Sequence, residues 1–86
     1  MVVIKLLTSP TCPYCPMAKD VLKRFAEQRK DVLVMEMSVT TDDGMKEALK
    51  FGIRTVPAII INDKQILIGV PTLNDLAKAV EAAESE

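Results

Sequence analysis

Two prolines, Pro13 and Pro16, fix where the longest helical pattern in this sequence can start. Proline is tolerated in the first turn of a helix, where its missing N–H would have no partner, and it disrupts any later turn. Beyond them Met17, Ala18, Val21, Leu22 and Phe25 recur on one face, and Lys19, Asp20, Lys23, Arg24 and Glu27 take the other. Residues 14–29 therefore read as an amphipathic helix whose N-terminus falls near Cys12. Cys12 and Cys15 then stand at the start of that helix, one turn apart on the same face.

The remaining segments arrange themselves around this helix. Val2 to Leu7 is a short apolar run ended by Thr8-Ser9-Pro10, the pattern of a buried strand. Val32 to Met37 predicts a second strand, and Met45, Ala48 and Leu49 mark a short helix between Thr41 and Gly52, with the glycine suited to the C′ position. Ala58 to Ile61 and Gln65 to Ile68 form a hairpin pattern around Asn62-Asp63-Lys64, and Gly69 breaks the second strand. Thr72 and Asp75 have capping-box spacing, and Leu73, Leu76, Ala77, Val80 and Ala83 give a final helix its apolar stripe. The order is β-α-β-α-β-β-α. A helical crossover implies parallel strands joined with right-handed chirality, and the hairpin adds an antiparallel pair. The expected class is α/β, a four-stranded mixed sheet with three helices covering its faces.

Eighty-six residues are expected to make one domain, spanning 1–86, with no room for a second core. Apolar residues at 49% and charged residues at 27% place the chain among folded proteins. Lys and Arg total 11 against 12 Asp and Glu, without a block of like charge, so the composition offers no footprint for nucleic acid or a membrane surface. The opening run is interrupted by Lys5 and stops too soon for a signal peptide, and no transmembrane-length apolar run occurs. The expected location is the cytoplasm and the expected state a monomer.

In that compartment a Cys-X-X-Cys pair is catalytic or metal-binding rather than a structural staple, because so small a loop hardly constrains the unfolded chain. A sulfur at a helix N-terminus faces unpaired N–H groups and the positive end of the helix dipole, both favouring thiolate over thiol. Cys12 is accordingly the expected nucleophile. Cys15, a turn along, is the expected resolver of a mixed disulfide on Cys12. Two plainer readings stay open: a pair of small buried hydrophobes, or a dimeric metal site, since two cysteines without His are too few ligands for zinc in one chain. A redox-sensing binding module is a further possibility.

Cys12-Pro13-Tyr14-Cys15, together with Gly52-Ile53-Arg54-Thr55-Val56-Pro57 and the apolar run after it, resembles the thioredoxin and glutaredoxin superfamily. The first motif is similar to the dithiol glutaredoxin active site, and the second to the Thr-Val-Pro segment of the same proteins. The similarity covers nearly the whole chain, and the Gly69-Val70-Pro71-Thr72 ending looks especially like small archaeal members with a glutaredoxin-like outline. The resemblance implies a thioredoxin fold, thiol–disulfide oxidoreductase activity on protein disulfides, and no bound cofactor or metal beyond the redox-active disulfide. It also implies that Pro57 is cis beside the cysteines, and that Pro13, Tyr14, Thr55, Val56 and Pro57 form the substrate groove.

Two departures bear on mechanism. Dithiol glutaredoxins usually carry Gly-Gly and small polar or acidic residues before the last helix to hold glutathione, where this chain has Val70 and Pro71. Pro71 lacks a backbone donor and Val70 is branched, which favours reduction by an NADPH-dependent flavoprotein of the thioredoxin-reductase type over glutathione. Thioredoxins also carry a buried Asp beneath the cysteines, where this chain has Leu6, so any proton relay needs another group or water. Lys5 and Glu36 lie on predicted strands and are candidates to approach the cysteines, although exposed strand positions are the expected home of both.

Overall fold

In the computed structural model, which describes residues 1–84, the elements follow the expected order. They are β1 (Val2–Thr8), α1 (Cys15–Gln28), β2 (Val32–Ser38), α2 (Asp42–Lys50), β3 (Ala58–Ile61), β4 (Gln65–Ile68) and α3 (Leu73–Glu84). The sheet order is β2-β1-β3-β4. β1 and β2 run parallel, from Val2 opposite Val32 to Thr8 opposite Ser38, with α1 as the crossover. β1 and β3 are antiparallel, as are β3 and β4.

The two central strands are the apolar ones, as sheet positions covered on both faces require. Every residue of β3 is buried. Strand alternation sends Val2, Ile4, Leu6, Ile59 and Ile61 to one face, under Leu22 and Phe25 of α1 and Leu76 and Val80 of α3. Leu7, Ala58 and Ile60 point to the other face, where Ala48 of α2 covers them. Each fully buried Leu or Ile contributes about 1.5–3 kcal/mol relative to exposure, so this double-sided packing is what holds the sheet. The apolar stripes differ from expectation in two places: Met17 in α1 and Leu73 in α3 are exposed, while Cys15 and Ala79 are buried instead. Both exceptions lie in the first turn of their helices.

The turn residues behave as their chemistry dictates. Asn62 and Asp63 adopt φ values of 51° and 57° in the hairpin turn, and the Asn62 side chain accepts from the Val3 N–H at 2.8 Å. Gly52, at φ 66°, ends α2 in a Schellman arrangement, its N–H bonded to Leu49 and that of Ile53 to Ala48. α3 opens on a reciprocal capping box, with the Thr72 N–H donating to Asp75 and the Asp75 N–H to Thr72.

Lys5 is not exposed as the sequence pattern implied. It projects from β1 towards α2, where its ammonium pairs with Glu47 and lies 3.4 Å from Asp63. The hydrogen bond to Glu47 holds the Lys5 ammonium above the ordinary lysine range, against the opposing effect of burial.

Candidate active site

β1 carries the chain out of the sheet at Thr8, whose carbonyl accepts from the Val39 N–H at 2.8 Å beyond the end of β2. A turn closed by the Cys12 N–H on the Ser9 carbonyl, at 3.1 Å, brings Cys12 back over the sheet end. α1 does not begin at Cys12. Its first residue is Cys15, with Tyr14 as N-cap and Pro16 in the first turn. The residue before a proline is pushed out of helical geometry, so Pro13 keeps Cys12 outside the helix.

Cys12 and Cys15 are nevertheless joined as a disulfide, with Cα atoms 5.5 Å apart. The bond holds the Cys12 sulfur at the N-terminus of α1. No side chain caps that terminus and its first turn contains no acid, so no carboxylate of that turn offsets the positive end of the dipole. Cys15 is 6% exposed, whereas Cys12 is half-buried and Pro13 and Tyr14 are exposed.

The second predicted segment arrives at the same end of the sheet. Leu7 pairs with Ala58, so Pro57 stands where β1 leaves for the cysteine turn. The Val56–Pro57 bond is cis. Pro57 is buried, Val56 half-buried and Thr55 exposed. The Gly69 N–H donates to the Pro57 carbonyl at 2.8 Å, tying the stretch before α3 to this segment. Ser9 links the two halves: it lines a cavity of about 400 Å³ with both cysteines and another of about 410 Å³ with Val56.

The cysteine cavity also brings in residues that the motifs did not mark. Lys19 of α1 and Glu36 of β2 line it, with Lys19 Nζ 3.2 Å from a Glu36 carboxylate oxygen. Both belonged to exposed faces in the sequence pattern, and both are exposed. What the pattern lacked was the parallel register that sets Glu36 beside Leu6. Among the described residues no group of three or more His, Cys, Asp or Glu is placed to hold a metal ion.

A cysteine pair at a helix start, at the same end of a mixed sheet as a cis proline, defines a class of dithiol–disulfide proteins. Residues 2–81 match a family model described as a thioredoxin domain. The chain is 52% identical over 80 residues to a probable thioredoxin of Archaeoglobus fulgidus, covering 93% of this chain and 87% of that protein. It is 38% identical to a thioredoxin of Methanocaldococcus jannaschii, over 91% of each chain. Among solved structures, a mutant thioredoxin from Halobacterium salinarum superposes with a TM-score of 0.77 at 26% identity, over 95% of this chain and 74% of that one. The chain belongs to the thioredoxin family and has the thioredoxin fold. It is a thiol–disulfide oxidoreductase that cycles Cys12 and Cys15 between dithiol and disulfide, and thioredoxins do this without a bound cofactor. No helix of the described residues is long and apolar enough to cross a membrane.

Proposed function

We propose that Cys12 is the attacking thiol and Cys15 the resolving one in a cytoplasmic, monomeric carrier that reduces protein disulfides. The observation that carries this reading is the asymmetry of the pair: Cys15 is 6% exposed inside the first turn of α1, while Cys12 is half-buried in the turn that precedes it. The Cys12 thiolate attacks one sulfur of the substrate disulfide and a substrate thiolate departs. Cys15 then loses its proton and attacks the Cys12 sulfur, releasing the second substrate thiolate. Two electrons pass to the substrate and the protein is left as the disulfide. Pro13, Tyr14, Thr55, Val56 and Pro57 form the groove for the substrate chain, an assignment supported by Tyr14, which is 59% exposed, and by Thr55, which is exposed just ahead of the strand that starts at the same sheet end.

A flavoprotein reductase drawing on NADPH is the proposed electron source. Binding glutathione here would require free donors before α3, and several of those positions are already committed. The Gly69 N–H serves Pro57, Pro71 has none, and the Thr72 and Asp75 N–H groups serve the capping box. Each lost charge-assisted bond is worth about 1.5–3 kcal/mol, a tenfold or larger loss in affinity. The test is re-reduction of the oxidised protein with NADPH and a thioredoxin reductase, against glutathione at cellular concentration. Turnover with the reductase alone is expected. Rapid, saturable reduction by glutathione would overturn the donor assignment.

A further inference from the structure

We propose that the outer edge of β2 receives an extended segment of the partner protein as a fifth strand and leads its disulfide to the cysteines. The inference rests on the reading of Cys12 as the attacking thiol and adds a recognition site separate from the Thr55-Val56-Pro57 groove. β2 is an end strand of the sheet, paired with β1 alone. The Val39 N–H donates to the Thr8 carbonyl, and alternation along a strand then turns the main-chain groups of Leu33, Met35 and Met37 towards β1. Those of Val34 and Glu36 point outward, and no strand of the described residues pairs with them.

Such an edge is normally blunted by lysine, proline, a bulge or a short length. β2 runs for seven residues, Val-Leu-Val-Met-Glu-Met-Ser, with Glu36 as its single charge and neither lysine nor proline. Apolar surface lies open on both of its faces. Leu33 and Met35 share the face of Met37 and remain 46% and 43% exposed, outside the cluster beneath α2. On the α1 side a groove of about 500 Å³ has an apolar floor of Leu6, Leu22, Ala26 and Val34.

Two features choose the occupant. Outward N–H and C=O groups in a row match the main chain of a polypeptide and not a small apolar molecule. The groove also shares Lys19 and Glu36 with the cavity that holds both cysteines, a cavity that takes in Ser38 at the end of β2. A strand laid along β2 therefore has one end at Cys12, the place for a redox partner's cysteine rather than for a second copy of this chain. Its alternate side chains enter the groove, so apolar residues at every second position are the chemistry it selects.

The probe is a synthetic peptide of about eight residues, matched to β2 at about 3.3 Å per residue, with valine and threonine alternating beside a terminal cysteine. It is made with the cysteine at either end to cover both strand directions. A form with serine for cysteine tests docking without chemistry. Added to the isotope-labelled reduced protein, it is expected to slow hydrogen exchange of the Val34 and Glu36 amides by about tenfold or more, leaving Leu33 and Met35 nearly unchanged. The cysteine form, activated as its 2-pyridyl disulfide, is expected to react about tenfold faster than free cysteine activated in the same way. In that reaction the Cys12 thiolate bonds to the peptide sulfur and pyridine-2-thione leaves with the electron pair. Val34→Pro removes an outward N–H that β1 does not use, and Ala26→Met fills the groove from the helix. Each should abolish the peptide's advantage while the rate with activated free cysteine stays within about twofold. Unaltered exchange at Val34 and Glu36 overturns the proposal, as does an advantage that survives both variants. Protection of those amides without peptide, in a protein that sediments as a dimer, would assign the edge to a second copy and equally overturn it. Reaction of activated free cysteine with Cys12→Ser would instead overturn the assignment of the attacking thiol, an outcome on which docking of the serine peptide does not depend.

Discussion

Leu7 and Ala58 are register partners in the antiparallel ladder between β1 and β3, and both are fully buried beneath α2. That pairing brings the end of β1, which feeds the cysteine turn, against the start of β3, which Pro57 precedes. The two motifs are 42 residues apart in sequence from Cys15 to Pro57, and this one ladder makes them neighbours.

If Val56 lines the substrate groove, a charge there should repel an apolar substrate segment without touching the thiols. Val56→Asp is expected to raise KM for a protein disulfide about tenfold, near 1.4 kcal/mol, while the rate with a small aromatic disulfide stays within about twofold. Steady-state kinetics with both substrates checks this. Equal losses on both would show that Val56 acts on the cysteines and not on the substrate.

Gly44 is buried in the first turn of α2, where an added Cβ would overlap the Ser38 carbonyl at the end of β2. Backbone cannot yield as a side-chain tip can, so Gly44→Ala should destabilise the protein by about 1–3 kcal/mol although alanine is the better helix former. Urea unfolding measures the change. A stabilised variant would mean that α2 packs less closely on the strand end than described.

The pair between Lys5 and Glu47 gives a pH signature of its own. Because the folded protein holds the Lys5 ammonium above its unfolded pKa, the contact stabilises fully below the unfolded value and fades as pH rises through the folded one. Glu47→Gln should cost about 1 kcal/mol at neutral pH, and the gap between wild type and variant should begin to narrow above about pH 10.5 and close as pH passes the raised folded value. Thermal melts across that range provide the measurement. A gap that persists undiminished in alkali would assign the contribution to packing.

Local chemistry made much of this fold legible. The hairpin was set by Asn62 and Asp63, which tolerate positive φ, and the end of α2 by Gly52, while the start of α3 followed from the spacing of Thr72 and Asp75. The cysteine motif was equally plain, as was the Thr55-Val56-Pro57 segment by resemblance. The pattern over 14–29 matches α1 to within a residue at each end, and Cys12, near which its N-terminus was expected, lies just outside because Pro16 sits within the opening turn while Pro13 holds its predecessor outside. Lys19 was not marked at all, and Glu36 was only one candidate beside Lys5, for another reason. Each looks like an ordinary exposed charge on its own element, and only the pairing of β2 with β1 and the seating of α1 bring them to the cysteines. Long-range register of that kind leaves no periodicity to read.

The division of labour between Cys12 and Cys15 is tested most directly by trapping. Cys15→Ser and Cys12→Ser variants, incubated with a disulfide-containing protein and resolved without reductant, should differ completely. Cys15→Ser is expected to accumulate a mixed disulfide through Cys12, because attack proceeds and resolution cannot, and Cys12→Ser is expected to form none. Adducts formed by Cys12→Ser alone, or by both variants equally, would contradict the account.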